Sequence, residues 1–449
     1  MKTARKMTEG APWKHILEFA GPVLAGSLLQ QLYNTVDTVV VGNYAMENSM
    51  SAVGTTGTMT FLFLAVAMGL SAGNCVIVAQ FYGAGEEKKV RHAASTGIIL
   101  LMILGLIATV LGLIFSDFIF RTLLNVDPSF VDRAILYFRI YTLGLLFQYG
   151  YNIFSSILRA LGDSNATLYF LLISSVLNTA LDFLFVAGFH WDVAGAAIAT
   201  VISQGVSFVA AYIYMTKRYP IFRFGIKDYV WNKSYAAKTV TVGFPIALQL
   251  VIVATGLSFI QRAVNDCGPE MTSSFTVGQR IEMYLNLPCN AIQTTMATYT
   301  GQNIGAGKTD RVKKGTQQAV AMSFAMSVVI AALTFIFCRQ IISLFNISEQ
   351  ATVYCTAHIR AISLVNLILA SYIPLFGVFQ GTGHGSVPTV VATCALTVRV
   401  IVTFAFRNTA FFGESIIWWN GLFGFLVGCT ITWGYYLSGR WKRNSVMTK

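Results

Sequence analysis

Gln80-Phe-Tyr-Gly83-Ala84-Gly85 and, 222 residues further on (80 to 302), Gln302-Asn-Ile-Gly305-Ala306-Gly307 are two copies of one phrase. A charged run follows each: Glu86, Glu87, Lys88, Lys89 and Arg91 behind the first, Lys308, Asp310, Arg311, Lys313 and Lys314 behind the second. Working outward at nearly the same offset, Gly21-Pro22 matches Phe244-Pro245, and Leu161-Gly162-Asp163 matches Thr382-Gly383-His384. One unit has been written twice, so the fold is expected to be two copies of one bundle. The copies differ in chemistry. The same offset sets Asp37 on Ile260, Asn178 on Arg399 and Asp182 on Thr403, so only the first half keeps these acids.

What kind of bundle follows from composition. Of 449 residues, 55% are hydrophobic and 11% charged, with a mean hydropathy of +0.63, which marks an integral membrane protein. Weakly charged runs long enough to cross a hydrocarbon core of roughly 30 Å as helices recur throughout. Twelve are expected, near 16–43, 52–82, 94–116, 134–158, 166–188, 194–216, 236–262, 273–303, 317–337, 358–380, 386–406 and 416–438. A transmembrane β-barrel would show short alternating segments instead. Met1 to Lys14 is basic like the start of a signal peptide, but the apolar stretch behind it is too long, and it is expected to be retained. The seven cysteines include no Cys-x-x-Cys and lie mostly in apolar runs, so they read as small buried hydrophobes; no disulfide framework, metal centre or cofactor is expected.

The net charge of +12 does not call for a nucleic acid. Basic residues collect at the amino end (Lys2, Arg5, Lys6, Lys14), behind the second, sixth and eighth spans, and at the tail (Arg440, Lys442, Arg443, Lys449), all on one side of a twelve-span topology. That bias puts both termini in the cytoplasm and the chain in the plasma (inner) membrane. The polar stretch 217–238 sits at the repeat boundary, which divides the chain into an N-lobe (1–216), a cytoplasmic linker (217–238) and a C-lobe (239–449) with a short basic tail. Six spans is an even number, so the lobes run parallel about an axis along the membrane normal. The expected class is an all-α integral membrane protein of twelve helices, in two pseudo-symmetric six-helix bundles around a central cleft. Pro22 and Pro245, at matching places, should bend the first helix of each lobe.

Taken together, these features resemble the multidrug and toxic compound extrusion (MATE) family, in its DinF-like branch. The residues that carry the likeness are Gly21-Pro22 with Asp37 further along, the two Gln-x-x-Gly-Ala-Gly phrases, Arg159-Ala-Leu-Gly-Asp163, and Leu177-Asn178-Thr-Ala-Leu-Asp182. The resemblance covers essentially the whole chain. It implies a two-lobed exporter driven by inward flow of H⁺ or Na⁺, with the cation site in the N-lobe; the matching positions are Asp37, Asn178, Asp182 and Thr200. Branches that use acids on the seventh and tenth helices have no match here, since Val240 to Ile260 and Ile359 to Gln380 contain none.

The residues themselves support a site there. An ionisable side chain within a span costs roughly 2.5 kcal/mol or more, so it faces protein or water. The candidates are Asp37, Asp182, Glu282, Arg139, Arg280, Arg360 and Arg399. Gln30, Asn34 and Asp37 share one helical stripe, and Ser175, Asn178 and Asp182 another. Two facing carboxylates with no basic residue on their helices need a shared proton or a bound Na⁺ to offset their repulsion. Asn34, Asn178, Thr200 and Ser203 offer oxygens suited to a hard cation, and the same set serves a proton relay. In the C-lobe, Arg399 needs a partner, for which Glu282 is the suitable choice; Arg280 lies on another face. The pair reads as a structural ion pair or as a secondary polar site. Aromatic and sulfur side chains suit a cleft for flat organic cations, with Tyr33, Tyr149, Tyr151, Met283 and Tyr284 on helices that should border it. The implied partners are a small organic substrate and the lipid bilayer, and the chain is expected to act as a monomer. An alternative from the same superfold is a flippase or exporter of a lipid-linked or metabolite substrate. An intramembrane enzyme is excluded by the lack of His-Glu-x-x-His and Gly-x-Ser-x-Gly motifs.

Overall fold

The structure is a computed structural model that describes residues 6–46, 48–225, 228–345 and 347–442. Of the basic residues counted above, Lys2, Arg5, Lys227, Arg443 and Lys449 lie outside them. Every regular element among the described residues is helical. The first repeat comprises α1 (Pro12–Tyr44), α2 (Ser49–Gly83), α3 (Glu87–Asp117), α4 (Val131–Leu143), α5 (Leu145–Ala160), α6 (Ser164–Asp182) and α7 (Asp192–Arg218). The second comprises α8 (Lys233–Asn265), α9 (Pro269–Gly305), α10 (Thr309–Ile336), α11 (Cys338–Ser343), α12 (Glu349–Gly381), α13 (Ser386–Phe406) and α14 (Ile416–Leu437). Long apolar runs take this form because hydrocarbon offers their N–H and C=O groups no partner outside the segment. Among the described residues, nine helices are long and apolar enough to cross a membrane.

Two details depart from the expected spans. The fourth, near 134–158, is two helices, α4 and α5, broken at Gly144, where a Cβ would stand 2.8 Å from Val201 Cγ2 on α7. The short α11 follows α10 and was not expected. The helices also outrun the apolar stretches, because backbone hydrogen bonding continues into polar ends, where Glu87, Asp310 and Glu349 in first turns favour the helix dipole.

The repeated glycines sit in equivalent turns. Gly85 and Gly307, which close the two copies of the opening phrase, have φ of 77° and 72°, a region that penalises a side chain. Asp163 caps α6 by accepting from Ala166 N at 3.2 Å, and Asn232 caps α8 by accepting from Ser234 N at 2.9 Å and Tyr235 N at 3.1 Å.

The described chain sorts into two compact units, one of Ala25–Ala247 and one of Met7–Leu24 with the chain from Leu248 onward. Thus α1 and α8 each belong to both, divided two residues after Pro22 and after Pro245. The first unit has a core of Val40, Phe120, Phe138, Val186 and Val193. In the second, α9 and α12 pack around Met296, Tyr299, Phe376 and Phe379.

Candidate cation site

Within the first unit, α1, α4, α6 and α7 bring together the polar residues of their apolar stretches. Asp182 is the last residue of α6, where the helix widens into a π-helical turn over Phe183–Gly188, a distortion that recurs at functional sites. It is fully buried, as are Asn178 and Ser203, while Asp37 and Tyr33 on α1 are half-buried. The carboxyl groups of Asp37 and Asp182 are in hydrogen-bonding contact. One oxygen of each, Oδ1, is buried with no hydrogen-bond partner among the described residues.

Asn178 supports the pair. In the amide orientation that satisfies both its ends, it donates to Asp182 Oδ2 at 2.7 Å and accepts from Thr200 N at 3.1 Å. Thr200 Oγ1 donates to Ala196 O at 3.0 Å, and the Tyr33 hydroxyl lies near it. Ser203 donates one turn back, to Ala199 O at 2.8 Å. Asn34 is exposed, and no described hydrogen bond joins its side chain to the acids.

No Lys, Arg or His among the described residues forms an ion pair with either acid. Three arginines of the first unit are committed elsewhere: Arg139 and Arg121 to Asp117, Arg121 also to Asp132, and Arg133 to Asp192 at 3.7 Å. Two acids, an amide and hydroxyls, with no cation of their own, form a donor set for a proton or a small hard cation.

Sequence reading missed part of this cluster. Tyr137 and Tyr141 on α4 stack at 6.2 Å; Tyr137 lies in the electrostatic reach of both acids, and Tyr141 donates to Gln148 at 3.2 Å and lies near Gln204. The available signal was spacing: Tyr137 and Tyr141, and likewise Thr200 and Gln204, stand four apart on one helical face.

Elsewhere the structure separates the named residues. In the second unit Arg399 donates Nε to Asn420 Oδ1 at 2.8 Å and lies over the Phe425 ring at 5.3 Å. Glu282 is close enough to feel its charge, but no ion pair within 4.0 Å joins the two. Arg280 is exposed, and Arg360 lies over Phe335 at 5.1 Å. Tyr149 is buried and donates to Phe63 O at 2.9 Å, and Met283 and Tyr284 are exposed; Tyr151, on the same helix as Tyr149, lies near Ser155. His358, on α12, is buried and stacked on Phe275 at 5.4 Å.

Comparison with known proteins agrees with the duplication. A family model described as MatE matches twice, over residues 22–184 and 245–405. The chain is 29% identical over 448 residues to "Probable multidrug resistance protein YpnP" of Bacillus subtilis, covering 99% of both chains. It is 24% identical to "Multidrug export protein MepA" of Staphylococcus haemolyticus, covering 91% of this chain and 90% of that one. A crystal structure described as MATE in complex with MaL6 superposes with a TM-score of 0.92 at 24% identity, over 99% of this chain and 100% of that one.

Proposed function

The chain belongs to the MatE family, and on that premise we propose that it is a cation-coupled antiporter that exports organic, often cationic, small molecules. It is a membrane transporter and not an enzyme. Relatives named for multidrug resistance and multidrug export support the substrate class and the direction. The observation that carries the coupling is the contact between the Asp37 and Asp182 carboxyls, each with a buried oxygen that has no hydrogen-bond partner among the described residues.

The physical reason is charge. Two unpaired carboxylates in a membrane interior are costly, and a proton or Na⁺ held between them removes much of that cost. Loaded and empty sites therefore favour different conformations, and cation binding shifts the population between them. In this reading Asn178 and Thr200 hold Asp182 in place, Tyr33 sets α1 beside Thr200, and two lobes of six helices alternate. The Lys and Arg bias supports cytoplasmic termini, and a monomer is sufficient because the cluster lies within one chain.

Transport of a fluorescent organic cation in proteoliposomes, under pH and Na⁺ gradients imposed separately, tests this. Export should follow one gradient or both. A wild-type protein indifferent to both would refute cation coupling, and a gradient-independent movement of lipid-linked saccharide would favour a flippase.

A further inference from the structure

The duplicated phrase takes no part in the cation site, yet each copy, with the helix behind it, meets the start of the other repeat's first helix; in the first copy Phe81 lies against the Tyr235 ring of α8 at 5.3 Å. In the second unit, Met7 to Gly10, which lead into α1, lie against the copy at Gln302–Gly307. Met7 N donates to Gln302 Oε1 at 2.8 Å, and Met7 O accepts from Asn303 Nδ2 at 3.3 Å. Arg311 closes over the segment: Nε and Nη2 donate to Met7 O at 3.3 and 3.1 Å, Nη2 also to Glu9 O at 2.7 Å, and Nη1 to Gly10 O at 2.7 Å. Lys308 Nζ donates to Thr8 O at 3.0 Å. Four consecutive carbonyls thus accept from two cations, and the Met7 side chain is fully buried. The Tyr299 hydroxyl fixes the clamp by donating to Arg311 O at 2.9 Å.

In the first unit, the segment leading into α8 lies against the helix start behind the first copy. Ser95 Oγ donates to Val230 O at 3.2 Å and accepts from Val230 N at 2.8 Å. Thr96 Oγ1 donates to Val230 O at 3.1 Å and accepts from Asn232 N at 3.2 Å. Arg91 pairs with Asp228 at 2.9 Å, donates to Arg223 O at 3.4 Å and lies over Phe224 at 5.4 Å. By the 222-residue offset the segments held are equivalent (8 plus 222 is 230), while the side chains that hold them are not, since Arg91 answers to Lys313 (91 plus 222 is 313). Two unlike sets of side chains that hold equivalent segments argue against a chance meeting of loops.

We propose that each Gln-x-x-Gly-Ala-Gly phrase, with the helix start behind it, is a socket anchoring the foot of the other repeat's first helix, and that Arg311 and Arg91 are positioning residues for transport. The inference rests on the transporter reading above. The foot of α1 belongs to the second unit, while Asp37, on the same helix, belongs to the first. From Pro12 to Asp37 is 25 residues (37 minus 12), roughly 38 Å of helix at 1.5 Å per residue. With its foot held, a displacement at Asp37 is taken up as a change of bend within the helix; an unheld foot frays and dissipates it.

Arg311→Ala and Arg311→Lys in the full-length protein test the anchor, with hydrogen exchange and proteoliposome transport read side by side. Lys keeps the charge but lacks the planar fork that reaches three carbonyls, so both variants should raise exchange over residues 7–13 by about tenfold. Turnover should fall by about tenfold, while the cation concentration for half-maximal transport stays within about twofold, because the Asp37 cluster keeps its contacts. Arg91→Ala should act likewise over residues 228–235. If Arg311→Ala does not fold, Arg311→Lys decides. Unchanged exchange at 7–13 would overturn the socket, and raised exchange with wild-type turnover would overturn the positioning role. A wild-type protein that ignores both gradients would count against the transporter reading, and the exchange result would still judge the anchor.

Discussion

At Asp182 the chain buries a carboxyl completely and sets a second, Asp37, against it. Removing either charge without changing shape separates coupling from folding. Asp37→Asn or Asp182→Asn should bring gradient-driven transport to background while the detergent melting temperature holds or rises, because the repulsion disappears with the charge. Wild-type rates in both would remove the site. Asn178 acts one step away: its N–H donates to the Asp182 carboxyl and favours the charged form, so with H⁺ as the coupling ion Asn178→Ala, which deletes a bond worth about 1.5–3 kcal/mol, should lower the proton concentration for half-maximal transport about tenfold or more. In the second unit, Arg399→Lys cannot reproduce both the Nε bond to Asn420 and the stacking on Phe425, so it should lower the melting temperature even though the charge is kept. Adding Glu282→Gln to Arg399→Ala should recover part of the loss if Glu282 is left an unmatched charge; no recovery in thermal unfolding would show that the two are independent.

At the level of elements, the first unit joins α2 to the early part of α8 without intervening side chains. A Cβ on Gly69 would stand 2.4 Å from Ala247 N, and one on Gly73 would stand 2.5 Å from Thr239 O. The i, i+4 glycines let two backbones meet, as small residues do in membranes. Gly73→Val should therefore cost at least about 2 kcal/mol by forcing the helices apart, read as a drop in folded yield and melting temperature, whereas Gly54→Ala, in open space on the same helix, should be neutral. This packing explains what sequence could and could not tell. The helices were legible because long apolar runs admit one backbone solution, and the duplication fixed their order. The break at Gly144 was not, because a glycine inside an apolar run is no stop signal by itself, and the close approach of Val201 that its missing Cβ allows comes from a helix distant in sequence. Asp37, Asn178 and Asp182 stood out as polar residues in apolar surroundings, and Thr200 was implied by the family resemblance. Tyr137, Tyr141 and Gln204 did not stand out, since single polar residues on long helices are common, and only the folded chain brings Tyr137 within reach of the acids with Tyr141 stacked on it and Gln204 near Tyr141. Arg399 invited Glu282 as its partner on charge alone, and found an amide and a ring on α14 instead.

For the whole molecule, the consequential fact is that α1 and α8 each belong to two units and divide just beyond a proline. Proline removes the backbone donor that would bond four residues back, at Glu18 and at Thr241, and its ring crowds that carbonyl, at a cost on the order of 3 kcal/mol in an ordinary helix interior. A weak point placed where a helix passes from one unit to the other is where a bend changes at least cost. Pro22→Ala and Pro245→Ala should each stiffen one such passage. Both should raise the melting temperature, since a donor and its hydrogen bond are restored, and both should slow turnover several-fold by opposing the bend. The half-saturating cation concentration should not move, because Asp37 lies fifteen residues (37 minus 22) beyond Pro22, about four helical turns away. The double variant discriminates further. If the two helices bend in one concerted event, Pro22→Ala with Pro245→Ala should slow transport little more than the slower single variant; if they bend independently, the factors should multiply. Turnover equal to wild type in all three would show that the prolines are tolerated and not used, and that the change of state is carried elsewhere along α1 and α8.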